Sequence, residues 1–274
     1  MIFLARLLVQ PRTCVTGSAI RIISVINVGR QQVIPVCVCG AVYLPRPLFK
    51  ELQIFKLYAD YWLPQSEDPS ATLRAAEIKY ALRNNAVQDQ VTEVTLVTQQ
   101  MQAAVAFVND LNPAVAGKIA IVTSEKRPTF QQFFELANKN TNATAIHVLI
   151  NNDIVLTKSF SKLSTTLGAH DFLCITRQIP VVNDHNHTWV LEPYKEYSQD
   201  VWCWQGLNRI TAADFEMGQI RCDQCVAYRA EAAGYSVRNP ALTLHARHRH
   251  TSNYRTYNKA GMLTLPGKLT VPTT

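Results

Sequence analysis

The stretch from Ile54 to Ile150 alternates short apolar runs with amphipathic stretches of helical period, and this alternation most narrows the possible folds. Ile54–Tyr58 reads as a buried strand, and a loop rich in Pro, Ser and Asp follows from Pro64 to Ser70. The spacing then predicts a helix over Ala71–Asn84, with Ala71, Ala75, Ile78 and Leu82 on one face. Val91–Thr98 reads as a strand, Met101–Asn109 as a short helix and Ile119–Val122 as a third strand. In Thr129–Asn138, residues Phe130, Phe133, Phe134 and Ala137 fall at i, i+3, i+4 and i+7, which marks a helix with one apolar face. Ala145–Ile150 is a fourth strand. Parallel neighbours need a long crossover, so this order predicts an α/β fold: a mainly parallel central sheet flanked by helices, in a single domain.

The flanking regions are less regular. Before residue 52, the apolar runs Ile20–Val28 and Val33–Leu44 are candidate strands, and Cys37 and Cys39 read as buried filling. Residues 1–51 are otherwise an unassigned extension. After the fourth strand, Phe172–Thr176, Trp189–Leu191, Val201–Trp204, Ser236–Arg238 and Leu242–Ala246 read as short strands. A helix over Asp223–Ala233 is closed by Gly234 at its C′ position. The tail beyond Thr251 is polar and is expected to lie extended on the surface, with residues 259–274 outside the domain of 52–258.

Composition removes several classes. Of 274 residues, 47% are hydrophobic and only 17% charged, against about 25% in ordinary globular chains, which excludes a disordered chain. Seven irregularly spaced cysteines do not make a disulfide framework and are expected to be mostly reduced. No apolar run reaches the roughly 20 residues of a membrane span, and Met1–Val9 does not read as a signal peptide, so a cytoplasmic location is expected. The sequons at Asn142 and Asn186 would matter only in a secreted chain. The net charge of +7 suits nucleic acid, anionic membrane or phosphorylated ligands, and no Lys/Arg run chooses among them.

Four groups could carry chemistry. Asn151-Asn152-Asp153 follows an apolar strand, where a carboxylate can reach a divalent ion and its phosphates; an Asx turn is the plain alternative. Asp223, in Arg221-Cys222-Asp223-Gln224-Cys225, stands at a helix start and is either a general base or an N-cap. His245, His248 and His250, with Arg247, Arg249 and Arg255, could bind metal and phosphate together; a solvated basic strand is the alternative. With Cys222 and Cys225, His245 and His248 could instead form a zinc site, although the gap between the pairs is longer than in common fingers. Ser198-Gln199-Asp200-Val201-Trp202 could be a sugar-binding shelf, or Trp202 and Trp204 could be core.

Taken in order, several segments resemble the nucleotide-sugar glycosyltransferases of the GT-A fold, more closely a little-characterised group in bacteria and large viruses. They are Arg74-Ala-Ala-Glu77, Arg127-Pro-Thr-Phe with Phe134 and Asn138, Asn151-Asn-Asp153-Ile, Ser198-Gln-Asp200-Val-Trp202 and Cys222-Asp223-Gln-Cys-Val-Ala-Tyr228. Ala233-Gly-Tyr235 with Asn239-Pro240, and His248-Arg-His250-Thr-Ser252 with Arg255 and Tyr257, complete the set. The resemblance covers residues 53–258 and implies a GT-A, Rossmann-like domain that moves a sugar from a nucleotide-diphosphate sugar to a hydroxyl of a glycan or glycoconjugate. It implies that Asn151 and Asp153 stand for the Asp-x-Asp motif holding Mn²⁺ or Mg²⁺, with His248 or His250 on the metal or diphosphate. Asp223 becomes the base of an inverting reaction, and Asp200 and Trp202 lie toward the acceptor. The turn Asp60-Tyr61-Trp62 is implied where the nucleotide base is held, and Arg74, Arg127, Asn152 and Arg255 are implied on the donor side.

The chain departs from the pattern in having Asn at 151, Gln at 224 and nothing matching in 1–51. Asn151 motivates a reading as a degenerate, non-catalytic transferase fold. The basic charge and the Cys/His set motivate a zinc-stabilised nucleic-acid-binding module; under the transferase reading no nucleic acid is expected as a partner.

Overall fold

The computed structural model describes residues 11–15, 20–24, 55–181, 188–252, 254, 262–264 and 270–274. The chain divides into two compact units, Met1–Phe49 and Lys50–Thr274. In the first, β1 (Pro11–Val15) and β2 (Ile20–Ser24) form an antiparallel pair with Pro11 opposite Ser24. β2 falls inside the expected apolar run 20–28; Val33–Leu44, with Cys37 and Cys39, lies outside the described residues.

The second unit runs β3 (Phe55–Asp60), α1 (Pro69–Ala86), β4 (Val91–Thr98), α2 (Met101–Asn109), α3 (Pro113–Ala116), β5 (Ile119–Thr123), α4 (Phe130–Asn138) and β6 (Ile146–Ile150). There follow β7 (Ile154–Leu156), a 3₁₀ turn at Lys158–Lys162 leading into α5 (Leu163–Thr166), β8 (Asp171–Pro180), β9 (Trp189–Leu191) and β10 (Gln199–Gln205). α6 (Cys222–Ala232), β11 (Ser236–Arg238) and β12 (Ala246–His248) end the series. Ten strands form one sheet in the order β5-β4-β3-β6-β10-β8-β12-β7, with β9 and β11 also on β8. β3 is parallel to β4 and β6, and β4 to β5. β10 is antiparallel to both β6 and β8, while β11 and β12 run parallel to β8. This is the expected α/β class, a single domain with a mostly parallel sheet flanked by helices.

Pairing across the sheet explains why β3 and β6 read as continuous apolar runs: helices cover both faces. On one face Ile78 and Leu82 of α1 and Phe107 of α2 belong to a cluster with Leu57, Leu96 and Val148. Successive strand residues point to opposite faces, so Tyr58 and Leu149 join the other cluster. There Phe130, Phe133, Phe134 and Ala137 of α4 and Val226, Ala227 and Ala230 of α6 meet Trp202 and Trp204. Trp202 meets Phe130 edge-on at 4.8 Å, and Trp204 meets Phe134 at 5.4 Å. Both tryptophans are fully buried, so the expected sugar-binding shelf at Trp202 does not exist; the ring is core.

Local chemistry sets the helix ends. Asp68 accepts from Ser70 N at 2.7 Å and Pro69 occupies the first turn, so α1 starts before the expected Ala71. Gly234, at φ +79°, closes α6 where the sequence places it. The expected strand Leu242–Ala246 is instead a turn, with the amides of Thr243 and Leu244 on Pro240 O, and β12 begins at Ala246. Residues 270–274 also differ from expectation: Val271 is buried and Thr273 bridges to Asn239. Among the described residues no helix is long and apolar enough to cross a membrane.

Candidate active site

From β3 the chain steps outward to β4 and β5, then returns to lay β6 on the other side of β3. Such a reversal opens a crevice at the carboxyl ends of the strands. Asp60 ends β3, and Asn151-Asn152-Asp153 follows β6. Both line a cavity of about 380 Å³ that also takes in Arg74 of α1, Arg127 before α4, Asp200 of β10, Asp223 of α6 and His248 and His250.

Asp153 is the centre of charge. Its Oδ2 lies 2.5 Å from Arg74 Nη2 and 2.9 Å from His248 Nε2, with His250 Nδ1 at 3.8 Å. Burial alone would raise the pKa of this carboxyl, but the His248 and Arg74 contacts outweigh it and hold Asp153 ionised, well below the usual carboxylate range. Ligand atoms of Asp153, His248 and His250 all lie within 4.8 Å of one another, so one divalent ion can reach all three. One carboxylate and two imidazoles suit a divalent transition ion better than Mg²⁺, which takes oxygen ligands almost exclusively.

The other carboxylates differ. Asp200 is held by Arg177 Nη1 at 2.8 Å and by the Asn151 side-chain amide, and Arg177 also pairs with Glu192 at 3.2 Å. Asp223 lies in the first turn of α6, behind Arg221 in the left-handed conformation (φ +73°). It accepts from Gln199 N at 3.2 Å and from its neighbour Gln224 N at 3.0 Å. Burial, and then the charge of Asp200, push Asp223 up to about 7 despite these bonds. Asp60 is pushed up to about 6, chiefly by burial, and receives Asn152 Nδ2 at 3.3 Å. The crevice thus contains one carboxylate fixed as an anion and another poised to exchange a proton near neutrality, an arrangement suited to acid–base work.

Ten residues singled out in the sequence line this one crevice: Asp60, Arg74, Arg127, Asn151, Asn152, Asp153, Asp200, Asp223, His248 and His250. Two of them serve neighbours differently from expectation. Asn151 turns its amide to Asp200, and Asp200 is locked in charged contacts with Arg177. Tyr61 is not in the crevice; it is core, donating to Ala103 O at 3.1 Å and packed on Phe107. Strand alternation sends Tyr61 inward and its neighbour Trp62 to the crevice, where Trp62 stacks on Tyr254 at 6.5 Å. Arg255 lies outside the described residues.

The zinc set does not assemble. Among the described residues the Asp153–His248–His250 group contains neither cysteine, and His245 Nε2 lies against Leu242 O at 3.2 Å. Burial, then Asp223, raises the Cys222 thiol, the opposite of what a metal thiolate needs. Sequence reasoning missed Arg177, although a cation directly after the apolar run Phe172–Thr176 was a usable signal. It also missed Tyr197 and Gly218–Ile220, which line the same crevice.

No protein-family model matches the chain, and no curated protein is significantly similar to it. Solved structures share part of its backbone course. A structure of GalNAc-T7 with UDP, GalNAc and Mn²⁺ has a TM-score of 0.46 at 8% identity, over 74% of this chain and 45% of that one. A 4-diphosphocytidyl-2C-methyl-D-erythritol synthase from Anaerococcus prevotii gives 0.42 at 10% identity, covering 76% and 92%. HddC from Yersinia pseudotuberculosis gives 0.37 at 10%, covering 56% and 77%. These likenesses are of strand and helix arrangement alone.

Proposed function

We propose that the chain is a metal-assisted glycosyltransferase that moves a sugar from a nucleotide-diphosphate sugar to an acceptor hydroxyl on a glycan or glycoconjugate, inverting the transferred carbon. One observation carries this reading: at the switch between β3 and β6, a single crevice joins the Asp153–His248–His250 cluster to the buried carboxylate of Asp223.

Asp153, His248 and His250 would hold the ion, and a divalent ion there supplies charge stabilisation to a leaving diphosphate. Arg127, which enters no ion pair among the described residues, faces the same cavity and can take phosphate oxygens. Asp60 and Asn152, at the carboxyl ends of β3 and β6, offer an acceptor and a donor to the nucleoside, next to the Trp62–Tyr254 stack. Asp223 accepts the proton of the incoming hydroxyl; a base titrating near 7 is ionised in useful amount and still basic enough to act. Asp200 is ion-paired with Arg177 and takes the Asn151 side-chain amide. The charge of Asp200 helps to raise Asp223, which makes Asp223 the better base. Nucleotidyl transfer in such a crevice would need no base at this position, and Asp223 therefore favours glycosyl transfer.

The test is calorimetry of the protein against UDP-, GDP- and dTDP-sugars, with and without Mn²⁺. We expect one nucleotide class to bind, to require Mn²⁺, and to be lost in Asp153→Ala while the fold persists. Donor binding unchanged by that substitution would remove the metal assignment.

A further inference from the structure

We propose that Glu77 is a positioning residue that holds the two histidines of the metal cluster in place; the proposal rests on the metal reading given above. Glu77 stands on α1 and is buried. Its Oε1 accepts from Thr251 N at 2.5 Å, Thr251 Oγ1 at 2.8 Å and Ser252 N at 3.1 Å. Its Oε2 accepts from Ser252 Oγ at 3.0 Å, with Arg74 Nη1 at 3.5 Å. One carboxylate therefore spends its acceptor capacity on the two residues that follow His250.

The other end of this segment is tied as well. His248 pairs with Ile154 in the β12–β7 ladder, and Arg249 N donates to Asp153 O at 2.9 Å. His250 lies between these anchors, in a stretch with no ladder of its own, so Glu77 closes the far end of the span. α1 contributes two more contacts from the same face: Arg74 Nη1 reaches Arg249 O at 3.4 Å, and the Arg249 guanidinium sits 4.5 Å over the Tyr80 ring. Residues 74, 77 and 80 are spaced by three, so one helix face grips residues 249–252.

A buried carboxylate without compensation is costly. Burial pushes Glu77 up, yet the bonds from Thr251 and Ser252 and the Arg74 charge bring it below its ordinary value, so it is held ionised. A plain apolar contact would pin the loop without directing it. Four directed bonds set its backbone path and, through it, the approach of His250 and His248 to Asp153. Partners that orient metal ligands typically change affinity by about 10–100-fold when removed.

The measurement is Mn²⁺ titration followed by the electron paramagnetic resonance signal of the free ion, on wild type, Glu77→Ala and Glu77→Gln, alongside thermal melts. Glu77→Ala is expected to weaken Mn²⁺ binding at least tenfold while keeping a cooperative melt. Glu77→Gln keeps an oxygen for Thr251 and Ser252 and is expected within about threefold of wild type. If Glu77→Ala does not fold, the Thr251→Val/Ser252→Ala double variant removes the hydroxyl donors from the opposite side and is expected to weaken Mn²⁺ in the same direction. Wild-type affinity in a folded Glu77→Ala, or in the double variant where that one is needed, overturns the proposal. A wild type that binds no Mn²⁺ overturns the metal reading and the proposal together, and shows in the first curve, before any variant is compared.

Discussion

Replacing Asp223 by Asn tests the acid–base reading through stability as well as activity. The carboxyl is pushed from an ordinary value of 3.8 up to about 7. The sign follows from proton binding: the folded state keeps this proton to higher pH than the unfolded chain, so wild-type stability falls as pH rises from about 4 to 7 and then levels off. At about 1.4 kcal/mol per unit, ionising a fully dry Asp223 would cost roughly 4 kcal/mol above pH 7. Between pH 5 and 8 the cost grows by about 2.5 kcal/mol, and contact with the open crevice reduces this to about 1–2.5 kcal/mol. Asn does not titrate. It also leaves one of the two backbone amides, Gln199 N or Gln224 N, facing an N–H, a loss of about 1 kcal/mol that is the same at every pH.

The informative quantity is therefore the change with pH of the stability difference between Asp223→Asn and wild type, measured by urea unfolding at pH 5 and pH 8. The variant should gain on wild type by about 1–2.5 kcal/mol across that interval, and donor turnover in the wild type should rise through about pH 7 and be abolished in the variant. A stability difference that is the same at both pH values would show that Asp223 titrates as an ordinary carboxyl and refute its role as a tuned base.

Further perturbations address the crevice and the core. Gly218 has φ +76°, and a Cβ there would sit 2.3 Å from Arg127 Nη2; Gly218→Ala should cost about 1–2 kcal/mol in unfolding experiments and weaken Mn²⁺-dependent donor binding by displacing that guanidinium. Trp204 stacks on His147 and Phe172 at 5.3 and 6.0 Å and is fully buried, so Trp204→Ala should cost about 3–5 kcal/mol. Its buried indole N–H has no acceptor among the described residues, so Trp204→Phe should cost much less, and equal losses in the two melts would contradict the packing account.

Much of the fold was legible because its signals are local. The i, i+3, i+4, i+7 phenylalanines of α4, the apolar runs of β4 and β6 and the glycine closing α6 each follow from the period or backbone freedom of neighbouring residues. β7 was not read, because Ile154–Leu156 follows directly on the polar turn Asn151–Asp153 with no break that sets it apart. The turn at 240–244 was misread because its apolar residues fill the core beside a turn as readily as a strand does. Much of the crevice lining was legible as residue types at strand and helix ends: Asp60, Asn151–Asp153, Asp223, His248 and His250.

What those residues do to one another came from folding alone. Tyr61 and Trp62 are adjacent in sequence, yet one is core and the other lines the crevice, because the chain stays extended just past β3, with Tyr61 N on Val97 O, and sends neighbours to opposite sides. Asn151 faces Asp200 and not the Asp153–His248–His250 cluster, Arg177 reaches Asp200 across 23 positions, and Glu77 grips Thr251 across 174. Hydrogen bonds and charge interactions act over a few ångströms, whereas periodicity reports only on neighbours along the chain. The alternation of strands and helices therefore predicts a crevice at the carboxyl ends of a parallel sheet. Only the three-dimensional packing decides which carboxylate stays charged, which holds its proton, and which arginine is already taken.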